Sequence, residues 1–206
     1  MTGLGIRNRR SCAALLIGAS LLLAFRSGAQ EEISPFPVET STEPALTHPT
    51  ALESYLEQPG ILLVQRHHPL PTVVLHGGGE MRLESVAAHE PGMQHQRIMG
   101  VRVELEAAGL SDEERVFYID VHEIEELVRA IGFMTSATAA EQSAQGDEQT
   151  EISIATRDGL EVAALFTADG ARYVLRTPSA SFAVGPVALT ALRVALDQAR
   201  EHLFSN

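Results

Sequence analysis

Two stretches of this chain carry one pattern. Phe117–Met134, FYIDVHEIEELVRAIGFM, reads as the end of a strand running into an amphipathic helix. Phe182–Ala199, FAVGPVALTALRVALDQA, repeats the outline 65 residues later. Aligned, Phe117 meets Phe182, Ile119 meets Val184, Ile124 meets Leu189, Leu127 meets Leu192, Ala130 meets Ala195 and Ile131 meets Leu196. Recurrence of one apolar register constrains the fold to a strand-rich unit used twice.

The residues before each helix support that reading. In the first half, Thr72–Leu75 is a strand signal and His76–Gly79 a glycine turn. Met81–Val86 and Ile98–Leu105 alternate apolar and polar residues, the period of half-buried strands. Glu90-Pro91-Gly92 and 109–114 are turns, and Arg115–Ile119 is a fourth strand. In the second half, Ile152–Thr156, Leu160–Phe166, Arg172–Arg176 and Ser181–Val184 are the strands. Asp158-Gly159 carries a two-residue hairpin signal and Asp169-Gly170 a second tight turn. His76–Gly79 corresponds to Arg157–Gly159, and Glu90–Met93 to Ala168–Gly170.

Asp120 is placed to cap the first long helix, with Glu123 three residues on completing a capping box. Gly132 and Phe133 suggest its end. Gly185-Pro186 opens the last helix, where proline's missing N–H costs nothing. Thr50–Gln58 reads as a short helix ended by Pro59-Gly60, and Ile61–Arg66 as an extra strand outside the repeat. The expected fold is α+β: two tandem ββββα repeats, antiparallel sheets with one helix each, the helices packed together.

The N-terminus has a separate logic. Arg7, Arg9 and Arg10 precede the apolar run Cys12–Phe25, and Ser27-Gly28-Ala29 supplies small residues for cleavage. This is the pattern of a signal peptide over 1–29, too short in its apolar run to span a bilayer. Cys12 precedes that run, where a lipoprotein cysteine would follow it. Residues 30–49, with four prolines among Ser, Thr and Glu, read as a disordered tether. The expected organisation is then a first repeat with its extra helix and strand over 50–134, a linker over 135–150 and a second repeat over 151–206. Residues 50–206 are expected to form one compact domain. The expected location is the periplasm or the outside of the cell, with membrane contact only through the signal peptide.

Removal of that leader takes away four Arg, no acid and the only Cys. What remains has 11 Arg, no Lys and 27 acids, formally −16. An exported chain without cysteine has no disulfides, so its core must hold the fold.

Two tandem ββββα units joined by a linker resemble the Whirly-like fold. That fold occurs in Whirly proteins and, as a homodimer of single units, in a family of single-stranded-DNA-binding transcriptional coactivators. The resemblance spans Thr72 to Phe204 and lies in topology; no sequence motif of those families is present, and no functional residue is carried over. The pattern is also similar to that of uncharacterised bacterial exported proteins. The resemblance implies nucleic-acid binding, which needs a positive groove and stacking aromatics. The acidic, Trp-free chain opposes it, although Arg97 with Arg102, or Arg172 with Arg176, are candidates to line a sheet face.

Catalytic signals are sparse. His76-Gly77-Gly78-Gly79 matches the HGGG oxyanion-hole motif of esterases, but the chain has no Gly-x-Ser-x-Gly nucleophile elbow, so a hairpin turn is the better reading. His67, His68, His76, His89 and His95 fall within 29 residues and are the candidate metal ligands, since converging imidazoles bind Zn or Cu. No pair has the spacing of a HExxH site; His122 to Glu126 is HExxE. Acid pairs such as Glu104 and Glu106 are expected by chance among 27 acids, and no catalytic residue or cofactor is assigned. The expectation is a non-enzymatic binding or accessory protein of the cell envelope, its partner a protein or other envelope macromolecule. The alternative is a metal-binding or hydrolytic enzyme using His67–His95.

Overall fold

The computed structural model describes residues 48–76, 78–107, 110, 116–136 and 149–205. The expected signal peptide, nearly all of the tether and the centre of the linker lie outside them. Short helix α1 (Ala51–Leu56) leads into β1 (Val64–Pro69), β2 (Val73–Val74) and β3 (Glu80–His89). A single 3-10 turn, Gln94–Gln96, precedes β4 (Ile98–Glu106) and β5 (Val116–Asp120), which runs into α2 (Val121–Ser136). Then come β6 (Thr150–Ala155), β7 (Glu161–Thr167), β8 (Gly170–Arg176), β9 (Ser181–Val184) and α3 (Pro186–Ser205). The chain is α+β, with two antiparallel sheets.

The first sheet has the order β1-β3-β4-β5, with β2 also on β3; the second has the order β6-β7-β8-β9. The extra strand expected at Ile61–Arg66 is present, shifted by three residues as β1. The strand begins at Val64, and β1 and β2 lie along one edge of β3, pairing with its Glu84–His89 and Glu80–Met81 ends. Their registers differ by one residue across Pro71. Pro69 and Pro71 cannot donate to a ladder, so one long edge strand is broken by a bulge.

The first hairpin of each half closes alike. Leu75 N–H donates to Gly79 O at 2.8 Å, and Thr156 N–H to Leu160 O at 2.8 Å. Gly78 (φ 92°) and Gly159 (φ 86°) take the same position in the two loops. Asp158-Gly159 is therefore not a two-residue loop: Gly159 N–H also bonds Thr156 O at 3.1 Å, and 157–159 form a three-residue loop with glycine in the left-handed region.

Helix α2 outruns its expected stop at Gly132 and reaches Ser136, because Met134 is buried and Thr135 Oγ1 donates back to Ile131 O at 2.9 Å. The stripes Ile124, Leu127, Ile131, Met134 and Leu189, Leu192, Leu196, Ala199, Leu203 are buried. The two helices pack together, and α3 also lies on β2, β3 and β4 of the first sheet, while α2 touches β6 and β7 of the second. One apolar cluster therefore joins both halves, including Met81, Leu83, Val103, Val162 and Phe166.

Polar contacts also fasten the halves together at the start of α2. Glu123 Oε2 accepts from Asp120 N–H at 3.0 Å, as a capping box requires. The Asp120 carboxylate, however, turns to α1, accepting from Ala51 N–H at 2.9 Å and Leu52 N–H at 3.0 Å. Thr50 and Glu53 complete a reciprocal capping box on α1. Asp158 Oδ2 accepts from Tyr118 N–H at 2.6 Å, and Glu123 Oε1 from Arg157 N–H at 2.8 Å, so the β6–β7 hairpin is fastened to β5 and the start of α2.

Candidate functional site

The core face of β3 changes character along its length. Met81 and Leu83 are apolar, and Ser85, Ala87 and His89 continue the same face at two-residue spacing. Cross-strand pairing puts His68 opposite Ser85 and Arg66 opposite Ala87, so both join that face. The 3-10 turn contributes Gln94 and His95, the entry to β4 contributes Arg97, and the last turn of α3 contributes His202 and Leu203. Together they line a cavity of about 680 Å³.

Four of the five candidate histidines, His67, His68, His89 and His95, border this cavity. His76 does not; it is exposed on the β2–β3 hairpin. Gly78 and Gly79 of the HGGG segment lie in the β2–β3 hairpin, and the cavity is built elsewhere. His122 is exposed on α2. Among the described residues, no three His, Cys, Asp or Glu side chains stand where they would hold one metal ion.

Each imidazole has a different setting. His67 bonds Glu84 Oε2 and Gln65 Oε1, both at 3.2 Å, on the exposed edge strand. The rings of His68 and His202 stack with centroids 4.0 Å apart and planes 12° from parallel. His202 Nδ1 lies 3.0 Å from Ser85 Oγ. Desolvation, and then the neighbouring His68, hold His202 below the ordinary histidine value. His89 is only 5% exposed, and its Nδ1–H donates to Glu90 O at 2.7 Å. Its Nε2 is buried and, among the described residues, has no hydrogen-bond partner.

The charge of the site opposes that of the chain. The sequence carries 27 acids, yet the described lining residues include two Arg, five His and no acid. Several arginines elsewhere are paired with acids: Arg102 with Glu104, Arg176 with Glu151 and Glu161, and Arg82 with Glu80 and Glu106. Among the described residues, Arg66 and Arg97 have no acidic partner at ion-pair distance; Arg97 Nη2 makes one 3.5 Å contact, to Leu203 O at the end of α3. Guanidinium groups without carboxylates, set among imidazoles, suit an anionic oxygen.

Sequence reasoning reached four of the histidines but missed His202, Ser85, Gln94 and Arg66, and grouped Arg97 with Arg102 on a sheet face rather than with the histidines. His202 lies 117 residues from Ser85, on the other half of the chain. Its one signal is its position beside Leu203, the last residue of α3's buried stripe.

No protein-family model, curated protein or solved structure matches this chain.

Proposed function

We propose that this chain is an exported, non-enzymatic binding protein whose cavity between β1, β3 and the end of α3 takes a small anion. One observation carries the reading: in an acidic chain, two arginines without acidic partners among the described residues meet His68, His89, His95 and His202 around one cavity. A volume of about 680 Å³ suits a metabolite-sized ligand. Export rests on the 1–29 segment. The proposal narrows the partner expected from sequence, an envelope macromolecule, to a small molecule.

The test is calorimetric titration of the full chain with succinate and inorganic phosphate at low salt. Saturable one-site binding, weakened at least about tenfold in an Arg66→Gln/Arg97→Gln variant, is expected from losing two charge-assisted contacts. No binding, or binding indifferent to both arginines, contradicts the proposal.

A metal ion is the competing occupant, favoured by the gathering of His67, His68, His89 and His95. The two guanidiniums oppose a cation there. Stoichiometric Zn or Cu in the purified protein would favour it.

We also propose that the two halves are copies of one ββββα unit of Whirly-like topology. The shared strand order, the matched hairpin bonds at Leu75 and Thr156 and the helix register support this.

A further inference from the structure

We infer that the ligand is an extended dicarboxylate, one carboxylate taken by Arg66 and the other by Arg97 with a short apolar spacer between them; this rests on the anion reading above. Strand register places the two arginines. Arg66 of β1 stands opposite Ala87 of β3, and Ala87 stands opposite Met99 of β4. Arg97 has extended backbone (φ −63°, ψ 138°) two residues before Met99, and so belongs to the same face of the sheet. The arginines therefore flank β3 on opposite sides, two strand spacings across and two residues along, which puts their Cα atoms about 12 Å apart. Ala87, with only a methyl group, lies between them, and Leu203 lines the same cavity from α3.

The two guanidiniums belong to separate walls. Arg97 Nη2 makes its 3.5 Å contact to Leu203 O, which holds that head at the last turn of α3. Arg66 enters from the exposed edge strand. The cavity lining between them includes no acid among the described residues, so the two like charges repel and each keeps to its own side. A compact anion gripped by one guanidinium leaves the other uncompensated in a cavity of about 680 Å³. A carboxylate at each end of the ligand meets both, and the planar fork of each arginine matches a carboxylate. The methylenes between then lie over Ala87 and Leu203 and ask for no hydrogen bond. Joining the two ends makes the second contact intramolecular, so a spacer that matches the span is favoured over shorter and longer ones.

A chain-length series tests this by calorimetric titration of the full chain at pH 8 and low salt. Succinate, glutarate, adipate and pimelate are each compared with the straight-chain monocarboxylate of the same carbon number, and with inorganic phosphate as a compact dianion. Affinity is expected to peak at one dicarboxylate, at least about tenfold tighter than its monocarboxylate and than phosphate, as one added charge-assisted contact would give. Arg66→Gln and Arg97→Gln should each bring that dicarboxylate down to about the level of its monocarboxylate. Dicarboxylates no tighter than their monocarboxylates, or phosphate as tight as the best of them, overturn the inference and leave the anion reading standing. A preference that survives either single substitution overturns the two-ended assignment. If no anion of the set binds, the anion reading fails and this inference with it. Should a variant not fold, the series on the unaltered protein still decides.

Discussion

The imidazoles of His68 and His202 stack at 4.0 Å although they come from opposite halves of the chain. His68 sits on the exposed edge strand β1; His202 arrives on the last turn of α3, bonded to Ser85 Oγ. The cavity is therefore completed only when α3 lies across the first sheet.

That dependence predicts the behaviour of the parts. A fragment of residues 48–136 lacks α3 and exposes the face that α3 covers on β2, β3 and β4. It is expected to show no cooperative thermal transition by circular dichroism, while the full chain melts as a unit. Within the full chain, Leu196→Ala opens a hole where exposure is 1% and should cost about 2–5 kcal/mol in a urea titration.

His202 makes the site sensitive to acid. Its folded-state value is lowered, so the unfolded chain takes up the proton first as pH falls. The stability it contributes is full above the ordinary histidine range and lost as pH drops through its lowered value. His202→Gln retains a polar partner for Ser85 and cannot titrate. Between pH 7.5 and 5, the melting temperature of the unaltered protein should fall more than that of the variant.

Asp158 acts in the opposite direction. Burial first, against the opposing Tyr118 N–H bond, and then the charges of Glu53, Glu123 and Asp120 leave its carboxyl raised to about 6. The folded state holds this proton more tightly than the unfolded chain. Its stabilising contribution is complete below about pH 4 and is lost as pH rises to about 6. Asp158→Asn removes the charge and retains an oxygen for Tyr118 N–H. The variant should melt above the unaltered protein at pH 7.5, and the gain should shrink at pH 4.

Gly100 permits α1 to dock. A Cβ there would collide with the Ile119 carbonyl oxygen and stand 3.0 Å from Leu52 Cδ2, with both residues buried. Gly100→Ala forces β4, β5 or α1 to move and should destabilise the chain by about 1–3 kcal/mol in the same urea titration.

These positions differ in how far the sequence exposes them. The helix stripes and the alternation in β3 and β4 were legible because burial on one face imposes a period. The broken edge strand was not: the apolar run Ile61–Val64 attracts a strand assignment, but Leu62 is 74% exposed and the free edge of β3 decides the pairing. Asp120 and Glu123 carried a visible capping signal, yet only the fold could reveal that Asp120 serves a helix 68 residues upstream. The histidine cluster was visible as a crowding in sequence. Its surroundings were not, because Arg66, Arg97 and His202 meet it only through strand pairing and the crossing of α3.

The central claim is that this cavity, and no general positive surface, takes the anion. The most direct measurement follows the imidazole resonances by NMR while succinate is added to the full chain. The account predicts that His68, His89 and His202 shift together along one saturating curve, while His76 and His122, exposed elsewhere, stay in place. Shifts spread equally over all histidines, or none at the cavity, would contradict it.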